Sequence, residues 1–136
     1  MSRTLLKGEI NMSLEIGDSV TALYKTGKYI GEITQVRDQH YVVRVKAVIK
    51  HPQQGDLHNP QQVDVPFFHE RRALAFNEQA NIPKPMVKAY TSEIPPYRDS
   101  LKTALTSLIN ELSLKDNPYA TRSIECLEQL QKDYAL

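Results

Sequence analysis

Near the start of the chain, apolar and polar residues alternate with the period of two that is typical of β-strands. The alternating segments are residues 19–24, 28–36 and 40–49, each rich in Val, Ile, Tyr or Thr. In the last segment, the odd-numbered residues from Tyr41 to Ala47 form an apolar face, which we expect to be buried. The short connections predict an antiparallel meander, with Gly27 supplying the positive φ of the first hairpin turn.

After residue 50 the alternation stops. Residues 50–62 are rich in His, Pro, Gln, Asp and Asn, with Leu57 as the only large apolar residue, which predicts a long loop. We expect a short strand at residues 63–65 and another at 71–76. A helical turn across residues 69–77 is the alternative to the second strand, because periodicity cannot decide over so short a stretch.

Residues 82–87 resemble the end of an SH3-like barrel, in which a single 3₁₀ turn leads into the closing strand. Five short strands with glycine-bearing turns suit a small closed or nearly closed barrel, because closure removes exposed sheet edges.

From residue 97 the apolar period changes to about 3.6, which predicts two helices. The first carries an apolar stripe made of Tyr97, Leu101, Ala104, Leu105, Leu108, Ile109 and Leu112. The second begins with Asn117 as N-cap and Pro118 at the first helical position. Its apolar face consists of Ala120, Ile124, Leu127, Leu130 and Tyr134. The short connection predicts an antiparallel hairpin that packs on the barrel.

The pattern therefore predicts an α+β fold, a small β-barrel followed by a C-terminal antiparallel α-helical hairpin, and the resemblance of residues 82–87 implies that the barrel is SH3-like. We expect residues 1–13 to be a leader or extension, residues 14–92 the barrel, and residues 93–136 the helical hairpin. The paired prolines at 95 and 96 mark the boundary between the last two.

Charge and cysteine content narrow the function classes. The 136 residues carry a net charge of +1, too balanced for strong attraction to nucleic acid or an anionic membrane. The single cysteine, Cys126, cannot form an internal disulfide, which favours a reducing compartment such as the cytoplasm. Residues 1–11 have too little apolar length for a signal peptide, and no window suits a membrane span.

We expect no metal site, no catalytic cysteine and no phosphate-binding loop. We also expect no cofactor. A metal site would use His51, His58, His69, Asp56 and Glu70, but their spacing matches no helical or strand ligand pair. Local hydrogen bonding is the simpler interpretation of these residues. Cys126 falls at the edge of a helix stripe, where a thiol packs as a small apolar group. The glycines form no phosphate-binding loop.

A nucleic-acid-binding barrel is the alternative function. Aromatic and basic residues interleave on neighbouring strands, where they could stack on bases and neutralise phosphates. These residues are Tyr24, Lys25, Lys28, Tyr29, Arg44 and Lys46. The competing interpretation is that the tyrosines fill the barrel and the lysines stay hydrated.

Several sequence strings resemble the kinase-associated protein B family of spore-forming Gram-positive bacteria. They are IG at 16–17, YKTGKYIGE at 24–32, HP at 51–52, QGDLHN at 54–59 and PFFHER at 66–71. The resemblance runs from about Met12 to the end of the chain, so residues 1–11 precede it and Met12 is a candidate initiator. It implies an SH3-like barrel with C-terminal helices and no catalytic residues.

By the same resemblance, the protein supports a membrane sensor histidine kinase that feeds the sporulation phosphorelay. We expect it in the cytoplasm, recruited to the inner face of the membrane through the kinase. Some members of the family are named lipoproteins. Lipid attachment needs a cysteine just after an apolar signal stretch, and Cys126 is not so placed. We therefore expect no lipid on this chain.

The expected contact surface for the kinase combines the 50–62 loop with residues 67–72. Arg and aromatic residues are enriched in protein interfaces, although two consecutive aromatics normally place one in the core. The predicted partner-binding residues are His51, Asp56, Leu57, His58, Phe67, Phe68, His69, Arg71 and Arg72. The oligomeric state is left open.

Overall fold

The computed structural model describes residues 14–65 and 68–136. The expected leader at residues 1–13 and residues 66 and 67, of which Phe67 belongs to the predicted surface, lie outside the described residues. Within the described part, the chain forms five strands, a 3₁₀ turn and two helices. They are β1 (Ser19–Tyr24), β2 (Gly27–Val36), β3 (His40–Lys50), β4 (Gln79–Pro83), the 3₁₀ turn (Lys84–Met86), β5 (Val87–Ala89), α1 (Tyr97–Ser113) and α2 (Pro118–Asp133).

The strands form one antiparallel sheet in the order β4-β3-β2-β1-β5. The α+β class and the meander of β1, β2 and β3 are confirmed. The sheet is open, because among the described residues no ladder joins its two edge strands, β4 and β5. The predicted closure into a barrel is therefore not observed.

The strands predicted at residues 63–65 and 71–76 are wrong. Residues 63–65 form bends, and residues 71–75 run without a ladder or a helical turn. The strand that does follow is β4, which was not predicted. Its apolar signal is short, because Ala80 and Ile82 alternate with polar residues over just five positions.

The glycine at the first hairpin has a different role from the expected one. Tyr24 pairs with Gly27, so the turn residues are Lys25 and Thr26, with φ of 46° and 69°. Both have the positive φ that a two-residue hairpin turn requires. A Cβ atom on Gly27 would come within 2.6 Å of the Tyr29 hydroxyl. The position therefore needs glycine for space, and the prediction that it supplies the turn's φ is wrong.

Burial on β3 follows the predicted face, since the odd-numbered residues from Tyr41 to Ala47 are all buried. The described residues form three apolar clusters. One lies among the strands around Ile33 and Val43, the next joins β2 and β3 to α1 around Tyr29 and Leu101, and the last lies between the helices. The helices therefore share an apolar core with the sheet.

Two polar contacts show how the helices are fixed. The Val48 N–H of β3 donates to the Ser100 hydroxyl of α1 at 2.9 Å. At the start of α2, the Asn117 side chain accepts from the Ala120 N–H at 2.8 Å, with Pro118 in the first turn. Both the N-cap and the proline position were predicted, and both are confirmed.

We expect Leu127→Ala to lower the free energy of unfolding by about 2 to 5 kcal/mol, because Leu127 is fully buried between α1 and α2. Leu108, on the predicted stripe of α1, is only half-buried and gives a weaker test. Chemical denaturation measures the change. Lys102→Ala, on the exposed side of α1, is the control and should stay within about 0.5 kcal/mol. Equal effects of the two substitutions would contradict the helix packing.

Candidate functional site

Residues 51–78, between β3 and β4, have no helix or strand among those that the structure describes. This 51–78 segment contains all the residues of the predicted partner-binding surface. Buried backbone groups need hydrogen-bond partners, and here no sheet ladder supplies them. Buried residues of the segment, such as Gln54 and Ala73, therefore rely on side chains for backbone hydrogen bonds.

The buried Gln54 side chain joins the two halves of the segment. Its Oε1 accepts from the Arg71 N–H at 2.8 Å, and its Nε2 donates to the Arg71 carbonyl at 2.9 Å. The Gly55 N–H donates to the His69 carbonyl at 2.9 Å, and Arg71 Nε donates to the Gly55 carbonyl at 3.0 Å. These contacts resemble the hydrogen bonds between two paired strands. They hold residues 54–55 beside residues 69–71.

Among the described residues, four tyrosine hydroxyls also bind the backbone of the segment. Tyr119 donates to the Gln54 carbonyl at 3.0 Å, Tyr97 donates to the Leu74 carbonyl, Tyr134 accepts from the Ala73 N–H at 2.9 Å, and Tyr29 accepts from the Leu74 N–H at 3.2 Å. Burial raises the pKa of Tyr29 to about 12 and raises those of Tyr97 and Tyr134, so their hydroxyls keep their protons.

His51 is 3% exposed and shares the Tyr134 hydroxyl with the Ala73 N–H. Its Nδ1 lies 2.9 Å from the Pro52 carbonyl, which can only accept, so Nδ1 carries the proton. Because the Tyr134 oxygen already accepts from Ala73, its own proton points to His51 Nε2 at 2.9 Å. His51 is thus the neutral Nδ1–H tautomer, and burial lowers its pKa.

Some residues of the predicted partner-binding surface have a structural role in the 51–78 segment. His51 is buried and cannot be a surface contact, contrary to the expectation from the sequence. Arg71 is half-buried, with its guanidinium on the Gly55 carbonyl. Phe68 packs on the Tyr119 ring with 6.0 Å between centroids. These side chains hold the 51–78 segment in shape.

Other members of the predicted surface remain accessible. The exposed or half-exposed ones are Leu57, His58, His69 and Arg72. Asp56 accepts from the Asn59 amide at 3.0 Å and from the His58 N–H at 2.9 Å. These two bonds hold the pKa of Asp56 below its usual value. Asp56 therefore shapes the turn that presents His58, while Phe67 lies outside the described residues.

The residues considered for a metal site are not gathered into one. Within residues 14–65 and 68–136, no three His, Cys, Asp or Glu side chains come together in a way that could hold a metal ion. Both ring nitrogens of His51 already have protein partners. Cys126 is half-buried on α2, and burial raises its pKa, which keeps the thiol protonated and weakly nucleophilic.

Of the two tyrosines of the suggested nucleic-acid surface, Tyr24 is half-buried and Tyr29 is fully buried. Tyr29 is 1% exposed and lies in the cluster under α1, as the competing interpretation expected. Arg44 lies 3.9 Å from Glu32, and Lys46 donates to the Asn77 side chain at 2.9 Å. A base therefore has no exposed Tyr29 ring to stack on.

The residues that organise the site were not predicted from the sequence. Gln54 was assigned only to a polar loop, and Tyr97 and Tyr134 only to apolar helix faces. The available signal was tyrosine at stripe positions where leucine would pack equally well. A buried tyrosine hydroxyl usually finds a hydrogen-bond partner, and a neighbouring loop without regular structure is rich in such groups.

Comparison with known proteins gives consistent matches. The family model described as Kinase associated protein B matches residues 24–135. Kinase-associated lipoprotein B of Bacillus subtilis (strain 168) is 53% identical over 122 residues, covering 90% of this chain and 95% of that protein. The crystal structure of kinase-associated protein B from Bacillus cereus matches with a TM-score of 0.79 and 52% identity, covering 91% of this chain and 100% of that one.

We expect Tyr134→Phe to lower the free energy of unfolding by about 1 to 3 kcal/mol, because the Ala73 N–H and His51 Nε2 both lose their partner. Urea denaturation followed by circular dichroism measures the change. Tyr90→Phe is the matched control, since the Tyr90 hydroxyl bonds to the Glu93 carbonyl in an exposed position. A loss no greater than in the control would mean that the Tyr134 hydroxyl does not hold the segment.

We also expect stability to fall as the pH drops below about 6.5, the usual histidine pKa in an unfolded chain. Because the folded pKa of His51 is lower, the unfolded chain binds the proton first and is favoured by acid. One such group adds a slope of at most about 1.4 kcal/mol per pH unit. Thermal unfolding between neutral and mildly acidic pH measures it. His51→Phe should lose this component, whereas the exposed His58→Gln should retain it.

Proposed function

The chain belongs to the kinase-associated protein B family, and from this we propose a non-enzymatic regulator that binds the cytoplasmic part of a sensor histidine kinase feeding the sporulation phosphorelay. The observation that carries the proposal is the 53% identity to a protein named as kinase-associated, over nearly the full length of that protein. The family match over residues 24–135 supports it.

We also infer that the sheet is related to SH3-like barrels. The order β4-β3-β2-β1-β5 places the last strand beside the first. The 3₁₀ turn Lys84–Met86 leads directly into β5, as the sequence resemblance implied. In this interpretation the 51–78 segment is a long connection added between the third and fourth strands of a small-barrel framework.

The proposed contact surface is the outer side of the 51–78 segment, around His58, His69 and Arg72. The Gln54 and tyrosine contacts hold the inner side in place. The segment therefore loses little further conformational entropy when it binds a partner. Such a protein changes kinase activity only if it binds the active and inactive states with different affinity. We infer that regulation arises from that difference.

The proposed location is the inner face of the membrane, reached through the kinase. In the part of the chain that the structure describes, no helix is long and apolar enough to cross a bilayer. The Bacillus subtilis relative is named a lipoprotein. Cys126 is half-buried on α2, which supports our inference that it carries no lipid.

A binding assay with the purified cytoplasmic part of the histidine kinase tests the proposal. We expect the parent to bind, and His58→Glu and Arg72→Glu each to weaken binding by about tenfold or more, as for substitutions at interface centres. Lys102→Glu, on the exposed side of α1, is the charge-matched control and should bind as the parent does.

Two results would contradict the proposal in different ways. If the parent does not bind the kinase, the proposed function fails. If the parent binds and both substitutions bind equally well, with unfolding curves like the parent's, the kinase contacts another surface of the protein.

A further inference from the structure

Two open cavities meet at Tyr97, between the end of the 51–78 segment and the start of α1. One, of about 440 Å³, is lined by Arg72, Ala73, Leu74, Ala75, Glu78, Tyr97, Arg98, Leu101 and Tyr134. The other, of about 460 Å³, is lined by Lys46, Phe76, Ile94, Pro95, Pro96 and Tyr97. Both cavities include Tyr97, one with a mainly apolar lining and the other with charged residues, and we call the surface that they make together the Tyr97 groove.

The cavity with the mainly apolar lining presents a large aromatic side chain on a well-held turn. Phe76 is 54% exposed and lies 5.8 Å from the Tyr97 ring, and Ile94 beside it is 37% exposed. The Asn77 N–H donates to the Val45 carbonyl at 2.8 Å, which fixes the turn to β3. Exposed apolar side chains that are contiguous and rigidly held are typical of interaction sites.

Over the groove as a whole, basic side chains outnumber acidic ones. Among the described residues that line the two cavities, Lys46, Arg72 and Arg98 are basic and Glu78 alone is acidic. Glu78 already accepts from the Ala75 N–H at 2.8 Å. The groove therefore attracts negative charge next to an apolar surface.

Both arginines are held in position by other contacts. The Arg72 guanidinium lies 5.1 Å from the centre of the Tyr134 ring and 3.7 Å from Asp133, which does not line the groove. Arg98 donates to the carbonyls of Tyr134 and Ala135. A guanidinium has five N–H donors, so these contacts leave donors for a carboxylate. Holding the side chains also lowers the entropy cost of binding.

We propose that the Tyr97 groove docks an extended acidic peptide segment of a protein partner. Its carboxylates meet Arg72 and Arg98, and an adjacent apolar side chain packs on Phe76, Ile94 and Tyr97. The inference rests on the proposed function for the existence of a protein partner. It adds the chemistry of the segment that the partner supplies.

Fluorescence anisotropy with the full chain tests this site without the kinase. The probe is a fluorescein-labelled peptide in which glutamates flank two phenylalanines. One matched probe has lysines in place of the glutamates, and the other has serines in place of the phenylalanines. We expect only the first probe to bind, and its affinity to fall as salt is raised.

Substitutions locate the binding. Phe76→Ser and Ile94→Ser should each weaken the first probe by about tenfold or more. Met86→Ser is the control, since Met86 is 45% exposed outside the groove. Circular dichroism and melting temperature identify any variant that fails to fold. If one of the two groove variants does not fold, the peptide affinity of the other tests the site.

Four results would overturn the inference. They are no binding of the first probe, equal binding of the lysine probe, equal binding of the serine probe, or unchanged binding in a folded groove variant. Kinase binding without peptide binding would overturn only this inference. Peptide binding without kinase binding would overturn only the proposed function.

Discussion

The structure depends on how the buried backbone of the 51–78 segment finds hydrogen-bond partners. No helix or ladder supplies them among its described residues, so the Gln54 side chain and the hydroxyls of Tyr29, Tyr97, Tyr119 and Tyr134 do. Leaving such groups unpaired would cost about 1 to 3 kcal/mol each. The contacts therefore decide whether the segment is a fixed surface or a fluctuating loop.

The same constraint explains why the helices belong to the functional part of the molecule. Tyr97, Tyr119 and Tyr134 lie at the ends of α1 and α2, and each reaches a different point of the 51–78 segment. Arg98 then binds the carbonyls at the end of α2, which ties the chain terminus to the start of α1. The helices thus shape both the proposed kinase surface and the Tyr97 groove.

Local patterns in the sequence were enough to predict β1, β2, β3, both helices and the Asn117 cap, because alternation, helical spacing and capping act between near neighbours. β4 was missed, since Ala80 and Ile82 are too few to show a period. The site could not be predicted from the sequence, because its hydrogen bonds join residues that are far apart along the chain, such as His51 with Tyr134 and Gln54 with Tyr119. A histidine placed on the predicted surface consequently proved to be buried.

The central claim is that side-chain hydrogen bonds hold an irregular segment as firmly as a strand. Hydrogen exchange of the Ala73 and Leu74 amides, followed by nuclear magnetic resonance, tests it most directly. The account predicts protection with an opening free energy within about 2 kcal/mol of global unfolding, although neither residue lies in a helix or strand. Exchange as fast as that of the amides of the exposed residues Gln61 and Gln62 would contradict it.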